Sequence, residues 1–88
     1  GAAYPNPFNG RAAIPVYAPG AGGAVELQVY NAAGQRVRTL RGGWLPAGWS
    51  RLWWDGTDEG GKRVASGVYT YQLVAGEYRA ARSLLMLK

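Results

Sequence analysis

Between Ala24 and Tyr30 the chain alternates strictly, with Val25, Leu27 and Val29 on one side and Glu26, Gln28 and Tyr30 on the other. A period of two is that of a β-strand with one buried face. The same period recurs in Trp49 to Trp54, where Leu52 and Trp54 share a face opposite Trp49, Arg51 and Trp53. It recurs again in Val68 to Val74, which aligns Tyr69, Tyr71 and Leu73. Trp54 is the expected core aromatic. Arg11 to Tyr17 reads as a further strand carrying Ile14 and Val16, and Pro15 confines it to an edge because proline cannot donate to a ladder.

Weaker runs complete the set. Arg36 to Arg41 carries Val37 and Leu40, whose spacing of three predicts a bulge or an early strand end. Lys62 to Ala65 reads as a short strand, Gly42 to Gly48 as a connection, and Glu77 to Leu87 as the last strand. The fourteen Gly and five Pro punctuate these runs at intervals of about 8–12 residues. No window sustains a helical period. Seven short antiparallel strands therefore predict an all-β, immunoglobulin-like β-sandwich. The segment 1–10 reads as a structured, extended opening, since Pro5 and Pro7 fix φ and Phe8 is placed to plug one end of the core.

At 88 residues the chain suffices for one small domain, 1–88, and has little surface to spare for an internal substrate cavity. With no Cys and no His, a thiolate nucleophile, the commonest general base and the commonest metal ligand are missing. Catalysis, cofactors and metal sites are therefore not expected. Asp55, Asp58 and Glu59 form a local acidic cluster. Its Asp and Gly residues are those of a tight turn whose carboxylates cap backbone amides, and its spacing is not that of an EF-hand.

The formal charge of +5 comes from ten Lys and Arg against five acids. It favours anionic partners. The cations are dispersed, however, and form no nucleic-acid-binding run. Arg36 and Arg38 are expected to share a strand face, with Arg79 and Arg82 nearby, as a basic patch for anionic surface glycan or lipopolysaccharide. No apolar run approaches the ~20 residues that span a bilayer as a helix. Trp44, Trp49 and Trp53 are the candidates for an exposed aromatic platform that stacks on sugar rings or anchors a partner.

Several short elements recur together in one known family. They are Tyr4-Pro5-Asn6-Pro7-Phe8-Asn9, Val29-Tyr30-Asn31-Ala32-Ala33-Gly34-Gln35-Arg36-Val37, Leu45-Pro46-Ala47-Gly48, Trp54-Asp55-Gly56-Thr57-Asp58, Gly61 to Leu73 with its Ala65-Ser66-Gly67-Val68-Tyr69 centre, and Leu84-Leu85-Met86-Leu87-Lys88. In this ordered series the chain resembles the immunoglobulin-like domains found at the C-termini of secreted bacterial proteins. These are the type IX secretion sorting domains and the related module of the flagellar hook-cap scaffold protein. The chain departs from the common pattern at Ser83, where many relatives carry Lys, and in its additional Trp44, Trp49 and Trp53.

The resemblance implies a non-catalytic C-terminal sorting and cell-attachment module of a secreted or surface protein, exported by outer-membrane secretion machinery. An N-terminal passenger, such as a polysaccharide-degrading enzyme, would carry the chemistry. Leu84, Leu85, Met86, Leu87 and Lys88 would be the part read, by strand addition. Their other role is to close the sandwich as a strand buried on both faces. Two further readings stay open: a carbohydrate-binding module using the Trp platform, and a protein–protein scaffold module of an extracellular assembly.

Overall fold

The computed structural model describes residues 2–5, 9–18, 20 and 22–87, with only the backbone at positions 41 and 42. Phe8 and Lys88, assigned a core plug and the end of a sorting strand from sequence, lie outside the described residues. Among the described residues six strands follow one another: β1 (Ala12–Ala18), β2 (Gly23–Tyr30), β3 (Arg36–Leu45), β4 (Gly48–Trp54), β5 (Gly67–Ala75) and β6 (Tyr78–Met86). They form two antiparallel sheets, β1-β4 and β3-β2-β5-β6. Tyr4 adds a further rung to β1, exchanging backbone hydrogen bonds of 2.9 and 2.8 Å with Ala13.

The apolar alternation read from sequence is the core. Val25, Leu27 and Val29 of β2 face Tyr69, Tyr71 and Leu73 of β5 on the inner side of the larger sheet, and Ile14, Val16 and Trp54 close it from the smaller. Trp54 is fully buried. Its Nε1 donates to the Thr57 carbonyl at 3.0 Å and its ring meets Tyr69 edge-on, 5.3 Å between centroids. A buried indole N–H thus keeps a partner, as its desolvation requires.

Pro15 sits where proline can be tolerated. Ala13 directs its N–H and C=O to Tyr4, so Pro15, two residues on, turns its nitrogen to the same outer side of β1. No ladder bond to β4 is lost.

Three expectations need correction. β3 runs on to Leu45 instead of ending at Arg41, because a register shift between Val25 and Glu26 absorbs the extra residue at Gly42. Only the two-residue turn 46–47 then remains of the expected connection. Lys62 to Ala65 forms no strand: a single bridge joins Thr57 to Arg63, and Asp58 Oδ1 instead draws the chain into a turn by accepting from the Gly60 and Lys62 amides. The last strand is buried on one face only, since Leu84 and Met86 enter the core while Leu85 is half-buried and Leu87 exposed.

Two glycines hold positions where a side chain is strained. At Gly22, φ is +92° and a Cβ would stand 2.4 Å from the Leu45 carbonyl oxygen. At Gly56, φ is +76°, a backbone conformation that favours glycine.

Candidate functional site

The terminal strand is tied down on its inner side. Leu84 pairs with Tyr69 and Met86 with Gly67, and both side chains are essentially inaccessible. A partner meeting the folded module could touch only the outward residues, Leu85 and Leu87, and the strand's backbone edge. Among the described residues no further strand pairs with that edge. β6 is last in the sheet order, and the Gly76–Glu77 turn closes Ala75 onto Tyr78 with Gly76 at φ +63°. In a two-residue hairpin of this kind the closing pair is hydrogen-bonded, so Arg79, Ala81 and Ser83 turn their backbone groups away from β5.

The other outer edge of this sheet is blocked at Val37 and Thr39. On β3, Val37 C=O accepts from the Glu59 amide at 3.1 Å and the Thr39 amide donates to the Glu59 carboxylate. Edge strands invite pairing unless they are blocked in some such way.

The basic residues do not assemble into one patch. A second register shift, between Val29 and Tyr30, makes Val37 the bulged residue. Arg36 therefore stands opposite Tyr30 on the outer face while Arg38 stands opposite Val29 on the inner one. The Val37–Leu40 spacing signalled this bulge, which breaks the alternation that would have kept Arg36 and Arg38 together. Arg38 reaches beneath the 55–59 loop, donating from Nη1 to Thr57 Oγ1 at 2.9 Å and to the Asp58 carbonyl at 2.6 Å. Arg79 sits across the sheet on β6, opposite Val74, and Arg82 lines a narrow cleft with Tyr17, Trp49, Tyr71 and Tyr78.

The aromatic candidates divide as well. Trp49 and Trp53 lie on the outer face of the β1-β4 sheet, opposite Tyr17 and Ala13. Trp44 pairs with Ala24 and so shares the outer face of the four-stranded sheet. The chain changes sheet at 46–47, which places neighbours in sequence on different sheets. Sequence reasoning missed Tyr4, Arg11 and Tyr17 as members of the Trp49 face. Alternation within β1 aligned Pro15 with Tyr17, but only the register with β4 reveals that they stand beside Arg51 and Trp49.

The acidic cluster is turn chemistry. Asp55 Oδ1 accepts from the amide and hydroxyl of Thr57, Asp58 Oδ1 from two amides, and Glu59 from Thr39. The Thr57 hydroxyl holds the Asp55 carboxyl below its ordinary value; burial opposes it, and the Thr57 amide and Arg38 add smaller contributions in the same downward direction. Among the described residues no group of acids converges as a metal site would require. Burial pushes the Tyr69 phenol up, and its hydroxyl donates to the Ala65 carbonyl. Among the described residues no helix is long and apolar enough to cross a membrane.

Comparison with known proteins bears on the fold and the family. Latent PorU from Porphyromonas gingivalis superposes with a TM-score of 0.80 at 22% identity, over 97% of this chain and 9% of that one. PorZ, described as an essential bacterial surface component of the type IX secretion system of the same organism, superposes at 0.67 with 17% identity, over 98% and 11%. FlgD from Xanthomonas campestris, described in connection with the hook capping essential for flagellar assembly, superposes at 0.71 with 29% identity, over 96% and 59%. The chain thus spans a small part of the first two proteins and somewhat over half of the third. A search of curated protein sequences returned no match. No catalytic family is indicated, and the β-sandwich is immunoglobulin-like as expected. The model of the FlgD Ig-like domain matches residues 3–78, and with that match the chain belongs to the FlgD Ig-like domain family.

Proposed function

We propose that this chain is a non-catalytic C-terminal sorting and attachment module of a secreted or surface-exposed bacterial protein, read by its export partner through strand addition at β6. The observation that carries this reading is the asymmetry of the four-stranded sheet. Its β3 edge is bonded to Glu59, whereas β6 leaves the backbone of Arg79, Ala81 and Ser83 directed outwards. Main-chain bonds would supply the affinity and the outward side chains the selectivity. Similarity to modules in PorU and PorZ supports an extracellular or surface setting.

The core anchoring of Leu84 and Met86 changes how the terminal segment must act. It forms and holds the docking strand, and its buried side chains are not read in the folded state. The test is a secreted reporter carrying residues 1–88 in a bacterium with type IX export, compared with the same fusion bearing Ala81→Pro. Proline there removes an outward donor and leaves the β5 ladder intact. The module is expected to stay folded while its reporter remains periplasmic. Unimpaired display of a folded Ala81→Pro fusion would refute docking at this edge.

A further inference from the structure

We propose that the outer face of the β1-β4 sheet is a binding site for an acidic polysaccharide, with Trp49 as the stacking ring and Arg51 as the cation that takes a sugar carboxylate. This goes beyond the sorting reading, because it concerns the other sheet and holds whether or not β6 is recognised by an export partner.

Four of the eight large hydrophobics exposed among the described residues, Tyr4, Tyr17, Trp49 and Trp53, gather on this one face. Clustered exposed aromatics mark interaction surfaces. Trp49 is the most open of the four at 65% exposed. Tyr17 meets it edge-on, 5.3 Å between centroids at 61°, which braces the indole and leaves its broad side available. A shallow depression bounded by Tyr4, Pro15, Trp49 and Arg51 lies beside it.

The cations are equally ordered. Arg51 Nη1 donates to the Tyr4 hydroxyl at 3.3 Å, and the Arg51 guanidinium lies 6.0 Å from the Trp53 ring. Arg11 lies over the same ring at 4.1 Å, so Trp53 seats a second cation and Trp49 is left as the stacking surface. Neither Ala12–Ala18 nor Gly48–Trp54 contains an acid. A ring beside an oriented, un-neutralised guanidinium matches a uronic acid, whose C–H face stacks while its carboxylate takes charge-assisted hydrogen bonds.

Size and charge density select this occupant over others. Two seven-residue strands, at a rise of about 3.4 Å and a spacing of about 4.8 Å, present roughly 24 by 10 Å, or about 240 Å². A stable protein interface covers about 800 Å² per partner. Single-stranded nucleic acid carries a phosphate at every nucleotide and is held by successive stacking rings along a cationic groove. One open ring with a few scattered cations does not provide that.

The test titrates the folded 88-residue chain with polygalacturonate, neutral galactan and oligothymidylate, following tryptophan fluorescence and affinity electrophoresis. Polygalacturonate is expected to bind at least about tenfold more tightly than the other two. Trp49→Ala and Arg51→Gln should each weaken it by about tenfold, equivalent to about 1.4 kcal/mol. Trp49→Tyr should retain most of the affinity, and Trp44→Ala, on the other sheet, should leave it unchanged. Absence of polygalacturonate binding, equal binding of galactan, preference for oligothymidylate, or indifference to Trp49→Ala would each overturn the proposal. Export of the reporter fusion is a separate readout, so failure here leaves the β6 reading standing.

Discussion

Leu84→Ala separates the structural from the recognition role of the terminal strand. The side chain is 1% exposed and belongs to the cluster built on Trp54, Tyr69 and Met86. Removing three carbons forfeits about 2.4 kcal/mol of transfer free energy at ~0.8 kcal/mol per group. The cavity term brings the loss to about 3 kcal/mol, within the 2–5 kcal/mol found for such truncations. An 88-residue domain has a total stability of only about 4–13 kcal/mol. The substitution should therefore lower Tm by roughly 12–24 °C, at about 4–8 °C per kcal/mol. The assay is urea unfolding followed by tryptophan fluorescence. It should show a reduced midpoint at unchanged slope. Leu87→Ala, at a position 45% exposed, should stay within about 0.5 kcal/mol of the parent. A loss under about 1 kcal/mol for Leu84→Ala, or equal losses for the two variants, would refute the reasoning. One consequence is practical. Deleting 84–88 removes Leu84 and Met86 together, so failed export of that truncation would report an unfolded module and not a missing signal.

Other perturbations test other parts of the fold. Gly22→Ala should cost at least about 1–3 kcal/mol in the same urea assay, because its Cβ would meet the Leu45 carbonyl at 2.4 Å and its φ is +92°. Arg38→Leu should lose about 1–3 kcal/mol and raise amide exchange across 55–62, since the Thr57 hydroxyl and Asp58 carbonyl lose their shared donor. Asp55 has a folded-state pKa held below its unfolded value. Its stabilisation is therefore present above about pH 4 and is lost as acid carries the pH down through the folded pKa, which Asp55→Asn should make shallower in a pH–Tm profile.

What the sequence disclosed and what it concealed divide along the line between alternation and register. Val25, Leu27 and Val29, the Tyr69-Tyr71-Leu73 stripe and Trp54 were legible because a strand's own period fixes its buried face. Pro15 marked an edge for the same local reason. Arg36 and Arg38 were misjudged as neighbours because the bulge at Val37 depends on pairing with Tyr30 and Val29. Trp44 and Trp49 were grouped because the change of sheet at 46–47 leaves no mark in their polarity. Lys62 to Ala65 carried strand-like composition, but Asp58 competes for its backbone with two accepted hydrogen bonds.

The most direct measurement of the central claim is photo-crosslinking during export, with a photoreactive amino acid placed at position 83 on the open β6 edge, at 39 on the covered β3 edge, or at 49 on the opposite sheet. A covalent adduct with an export component is expected from position 83 and none from 39 or 49, while the reporter still reaches the surface. Adducts of equal yield from 39 or 49, or none from 83 in a fusion that is displayed normally, would contradict it.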